Sequence, residues 1–199
     1  EGAGVPTIKP WSKEVVERKM ELVKQSDAFA VAMDIDAAGL PFLKNCEPPA
    51  GSKTVEELKE IIDGVDVPFI VKGIITVKGA LKAKEAGASA IIVSNHGGRV
   101  LDQCPSTAEV LPEIVEALKG SGITILVDGG IRSGVDVFKA LALGADAVLI
   151  TDVHRQILLA QTGLPHVVEG GAVTGLDRSR NGTAAESLEE IDVLTVLFK

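Results

Sequence analysis

Five short apolar runs, separated by amphipathic stretches, constrain this chain more than any other feature. They are "AFAVAMDI" (28–35), "VPFIVKG" (67–73), "ASAIIVSN" (88–95), "ITILVDGG" (123–130) and "ADAVLI" (145–150). Each is almost continuously hydrophobic, as parallel strands covered on both faces are; a strand with one wet face would alternate. The stretches between them carry helical spacing and helical punctuation. "SKEVVERKMELVKQS" opens on a cap candidate at Ser12 and "TVEELKEIID" follows one at Thr54. "TVKGALKAKEAG", "STAEVLPEIVEALKG" and "GVDVFKALALG" stop at Gly87, Gly120 and Gly144, where a residue tolerant of the left-handed region closes a helix. This β–α alternation predicts an α/β fold on a parallel sheet.

Polar residues and glycines cluster at the C-terminal ends of the runs: Asp34 and Asp36, Lys72, Ser94 to Arg99, and Asp128 to Arg132. Active sites form at that end of parallel strands, both in closed barrels and in open wound sheets. "SNHGGR" (94–99) is the densest cluster. Its two glycines permit a sharp turn and close approach of a ligand, His96 can exchange a proton near neutral pH, and Arg99 offers a fork of donors to a carboxylate or phosphate. No GxGxxG opens any unit, so a Rossmann dinucleotide site is unsupported. "VDGGIRSG" followed by "ALALGADAVLI" instead has the form of the last two units of a phosphate-binding barrel.

Composition narrows the class. With 199 residues, 46% hydrophobic and 24% charged, the chain suits a soluble domain. A net charge of −8 argues against nucleic acid as a partner, and no apolar run has the length of a membrane span. Cys46 and Cys104 have neither metal-ligand spacing nor the density of a disulfide scaffold; the expectation is free thiols, a cytoplasmic setting and no metal site. Five open strands would leave two edges and an apolar face, so a homo-oligomer is expected. The clean pattern runs from residue 12 to residue 150, and residues 1–150 are expected to form one domain. Residues 151–199 form a tail without clear periodicity, in which "AESLEEIDVLTVLFK" reads as a helix or a helix–strand pair.

The motifs "VKG", "VSNHGGRVLDQ" and "VDGGIRSGVDVFKALALGADAVLI", in that order, resemble the FMN-dependent L-2-hydroxy acid oxidase and dehydrogenase family across about residues 5–150. The resemblance implies a partial TIM (β/α)8 barrel corresponding to strands four to eight, with the first three expected before Glu1. It implies FMN as cofactor and oxidation of a small L-2-hydroxy acid, such as lactate or glycolate, to the 2-oxo acid. His96 would be the catalytic base, Asp36 its carboxylate partner and Arg99 the clamp on the substrate carboxylate. Lys72 and Ser94 would contact the flavin, and Asp128, Gly129, Gly130 and Arg132 its ribityl chain and phosphate. Blander readings stay open: Asp36 as a turn cap before Gly39, and Gly129 and Gly130 as a tight turn only. Asp34 has no assignment beyond a structural hydrogen bond, and His154 and His166 lie in the unmatched tail.

Three departures from the family pattern stand out. Thr151 and Asp152 replace a Gly-Arg pair after the last run, Asp34 stands where many members carry threonine, and the chain has no tyrosine. Two other functions compete with oxidation: a non-catalytic remnant or interaction subunit, and a different flavin or phosphate barrel, such as type 2 isopentenyl diphosphate isomerase or inosine monophosphate dehydrogenase.

Overall fold

The computed structural model describes residues 4–47, 49–150 and 195–198. In chain order they form β1 (Thr7–Ile8), α1 (Lys13–Lys24), β2 (Val31–Asp34), α2 (Pro41–Lys44), α3 (Val55–Asp63), β3 (Phe69–Ile74), α4 (Val77–Glu85), β4 (Ala90–Val93), α5 (Thr107–Ala117), β5 (Thr124–Val127), α6 (Gly134–Ala142), β6 (Ala147–Ile150) and β7 (Thr195–Phe198). Two 3-10 turns, Ile35–Gly39 and His96–Gly98, follow β2 and β4.

All seven strands join one sheet, and their spatial order is their sequence order. The first six are parallel. A doubly wound sheet reverses its strand order at a switch point; this one never does. Winding in a single direction belongs to a (β/α) barrel, and the described residues form part of one.

Two strands lie outside the five runs. β1 has only two residues, Thr7 and Ile8, paired with Ala32 and Met33 of β2, too few to show a pattern of their own. β7 runs antiparallel along β6, with Thr195 opposite Ile150 and Phe198 opposite Ala147, and so covers what would be an open edge. The rest of the tail reading, with Thr151, Asp152, His154 and His166, falls outside the described residues.

Side-chain parity sorts the strands into two layers. Val31, Met33, Phe69, Val71, Ile91, Val93, Ile125, Val127 and Val148 pack with Val16, Met20, Leu58, Ala80, Leu111, Ile114 and Val137 from the helices. Alternate residues, Ala32, Ile70, Ala90, Ile92, Leu126, Ala147 and Leu149, form a second cluster on the opposite, barrel-interior face. Fully burying one such side chain stabilises by about 1.5–3 kcal/mol. The interior cluster is itself buried, with Ala32, Ile92 and Ala147 at 0% exposure, so among the described residues this strand face is not exposed.

The helix ends follow their punctuation. Thr54, Ser106 and Ser133 each close a capping box with Glu57, Glu109 and Asp136, contributions of about 1 kcal/mol apiece. Ser12 precedes α1, but its hydroxyl makes no capping bond. Gly87, Gly120 and Gly144 adopt φ of 92°, 70° and 107° just beyond α4, α5 and α6.

Candidate active site

The interior parity continues past each strand's last apolar residue and there turns polar. Two residues beyond Ala32 comes Asp34; beyond Ile70, Lys72; beyond Ile92, Ser94; beyond Leu126, Asp128. Because successive side chains in a strand alternate faces, this single rule sets four polar groups on the interior face at one end of the sheet. Register tightens the set, since Asp34 and Lys72 are direct neighbours across β2 and β3.

Their contacts are specific. Lys72 Nζ donates to Asp34 Oδ1 at 3.1 Å and to Ser94 Oγ at 3.3 Å, with Asp128 Oδ2 at 3.8 Å. Ser94 Oγ also accepts from the His96 backbone N–H at 3.2 Å. His96 Nδ1 lies 3.2 Å from Asp36 Oδ1 and 3.6 Å from Asp34 Oδ2. The same Asp34 Oδ2 accepts from Lys9 Nζ at 2.7 Å. Asp34 is 1% exposed and His96 8%.

Two local distortions create this packing. The β3–β4 register shifts between Lys72 and Ile74, a bulge centred on Gly73 with φ of 95°. A Cβ on Gly73 would lie 2.5 Å from Asp36 Cγ; the missing side chain is the space in which the Asp36 carboxyl sits. After β4, His96, Gly97 and Gly98 all take positive φ, at 55°, 66° and 74°. For a non-glycine residue that conformation costs on the order of 1–3 kcal/mol and is typical of functional sites. Asn95 Oδ1 steadies the turn by accepting from Gly97 N–H at 3.1 Å.

The electrostatics follow from this crowding. The Asp34 carboxylate, seconded by Asp36, stabilises the imidazolium and pushes His96 up to about 9, against the opposing effect of burial. Burial would raise Asp34, but bonds with His96 and Asp36 and the nearby Lys72 and Lys9 outweigh it and hold this carboxyl well below its usual range. Asp36 moves upward, chiefly through burial and its proximity to Asp34. Burial also raises Asp128, with Lys72 opposing.

The remaining residues singled out from the sequence are placed less centrally. Arg99 is exposed, and its Nε donates to the His96 carbonyl at 3.1 Å, so it is tied to the same turn. Gly129 and Gly130 are exposed with φ of 88° and 73°, and the turn is anchored by Thr107 Oγ1 donating to the Asp128 carbonyl at 2.8 Å. Arg132 is exposed ahead of α6, its backbone N–H held by Asp136 Oδ2 at 3.1 Å. No contact joins Arg132 to the His96 cluster among the described residues.

Residues 11–169 match the FMN-dependent dehydrogenase family. The chain belongs to that family. Among curated relatives, a peroxisomal (S)-2-hydroxyacid oxidase of Arabidopsis thaliana is 57% identical over 98 residues, which cover 49% of this chain and 26% of the relative. An L-lactate dehydrogenase of Chromohalobacter salexigens is 42% identical over 127 residues, covering 63% and 31%. Among solved structures, a mandelate oxidase variant with (S)-mandelic acid superposes with a TM-score of 0.63 at 35% identity, over 72% of this chain and 48% of that one. A mandelate oxidase with a monooxide FMN adduct gives 0.60 at 38% identity, over 73% and 48%. The aligned region thus spans about a third or less of these curated relatives and about half of the solved structures.

In this FMN-dependent dehydrogenase family member, sequence reasoning overlooked Lys9 and Gly73 and left Asp34 without a role. The signal for Lys9 is its parity with Val5 and Thr7 in the short stretch ahead of α1. For Asp34 it was the interior parity that also selects Lys72, Ser94 and Asp128. No helix among the described residues is long and apolar enough to cross a membrane.

Proposed function

We propose that this chain binds FMN and oxidises a small L-2-hydroxy acid to the 2-oxo acid. The observation that carries the reading is the His96 Nδ1 to Asp36 Oδ1 contact of 3.2 Å, set beside the buried Lys72 ammonium at the strand ends. An imidazole whose Nδ1 is taken by a carboxylate presents Nε2 as its working nitrogen. The substrate must lose two electrons and two protons, and Nε2 is suited to take the hydroxyl proton. Asp36 and Asp34 then stabilise the imidazolium so formed.

The residues fit the cofactor. A buried ammonium at the barrel mouth suits the electron-rich edge of a flavin, and the Gly129–Gly130 turn offers backbone that a ligand can approach, with open space where a Gly130 Cβ would stand. Lys72, Ser94, Asp128, Gly129, Gly130 and Arg132 would hold FMN, which supplies a two-electron acceptor when bound. Arg99 carries a guanidinium fork on the same turn as the base, where a bidentate pair with the substrate carboxylate would orient the α-carbon.

The test is the visible spectrum of the purified chain, titrated with FMN and then with L-lactate or glycolate without oxygen. The reading expects perturbed flavin bands that bleach on adding a hydroxy acid. Unshifted bands and no retained FMN would overturn it. Retained FMN that no L-2-hydroxy acid bleaches would remove the catalytic half.

A further inference from the structure

Asp34 faces more cationic groups than either neighbouring carboxylate, Asp36 or Asp128. Its carboxylate is buried, a position that costs several kcal/mol unless well compensated. One lysine would compensate one carboxylate. Here Lys9, just after β1, takes Oδ2 at 2.7 Å, Lys72 from β3 takes Oδ1 at 3.1 Å, and His96 Nδ1 stands 3.6 Å from Oδ2. Three groups able to carry positive charge thus converge on one carboxylate.

The surrounding charges come from four strands and the turns that follow them. Around the His96 ring are Lys9 (after β1), Asp34 (β2), Asp36 (the turn after β2), Lys72 (β3) and Asp128 (after β5). Arg99 is bonded only to the His96 backbone carbonyl in the described contacts. Asp36 alone would give the imidazole a conventional single-carboxylate partner. Asp34 adds a second, and it alone of the two is also bonded to Lys72.

We propose that Asp34 is a positioning residue that couples two halves of the site, fixing the Lys72 ammonium with one oxygen and holding the His96 imidazolium beside the other. Lys9 is the counter-charge that lets this carboxylate lie next to Asp36. The catalytic meaning of the coupling rests on the proposed function; its test does not.

The test is an NMR titration of the His96 ring in the FMN-free chain, its resonance assigned by loss in His96→Gln. Asp34→Asn alone also removes the Lys9–Asp34 ion pair, so the decisive variant is Lys9→Met with Asp34→Asn. Its His96 midpoint should fall by at least one pH unit, a tenfold loss of proton affinity. Lys9→Met alone removes a positive charge and should leave the midpoint unchanged or higher. An unchanged midpoint in the folded double variant, or a fall in Lys9→Met alone, would overturn the proposal. Should the double variant not fold, the wild-type chain decides: the Asp34 side-chain carbon resonance must move as His96 titrates, and a silent one is contrary to the coupling. Failure of FMN to bind would instead count against the proposed function and leave this result standing.

Discussion

The pH dependence of folding should carry a limb that belongs to His96. Its ordinary value is 6.5, and the folded chain raises it to about 9. A group raised on folding contributes its full stabilisation below the unfolded value and loses it as pH rises through the folded one. At about 1.36 kcal/mol per pH unit, His96 contributes roughly 3 kcal/mol at pH 6.5 and under ~0.5 kcal/mol at pH 9. Stability should therefore fall by roughly 2–3 kcal/mol across that window. Asp34 acts at the other end: lowered on folding, its contribution is lost as pH falls below the ordinary carboxylate range. Trp11, the sole tryptophan and buried in the core, is a built-in probe for urea unfolding at pH 6.5, 7.5, 8.5 and 9. His96→Gln removes the titrating ring and should flatten most of the limb. Equal slopes in wild type and His96→Gln would refute the reasoning.

Three further outcomes follow from the geometry. Gly73→Ala forces a side chain into positive φ and against Asp36; it should destabilise the chain by at least about 2 kcal/mol in urea melts and shift the His96 titration, whereas an unmoved His96 would mean that Asp36 needs no such space. Arg99→Lys keeps the charge but loses the fork, so KM for a hydroxy acid should rise at least about tenfold with FMN affinity unchanged. An equal loss of FMN affinity would place Arg99 on the cofactor instead. Ser106→Ala removes the α5 capping box and should cost about 1 kcal/mol in urea melts with no change in flavin binding.

Much of this architecture was legible in the residues because strand burial and helix punctuation are local. The five apolar runs each hold a strand, and of the two cap candidates Thr54 caps α3 while Ser12 precedes α1 without a capping bond. Lys72, Ser94, His96 and Asp36 lie together at the strand ends, where the sequence clusters its polar residues. What escaped was non-local. β1 is defined only by its pairing with β2, so Lys9 had no visible partner until Asp34 was placed beside it. Gly73 is an ordinary glycine in "VKG" until the β3–β4 shift brings Asp36 against it. β7 pairs with β6 across more than forty intervening residues, a contact that no local pattern encodes.

The most direct test of the central claim compares flavin reduction by L-lactate or glycolate, without oxygen, in wild type and His96→Gln. The account predicts that both chains retain FMN and that only wild type bleaches readily, with the variant slower by about 10²–10⁴. The wild-type rate should climb with pH toward 9, because the base must be unprotonated to act. Equal bleaching in the two chains, or a wild-type rate indifferent to pH between 7 and 9, would contradict His96 as the base around which the site is built.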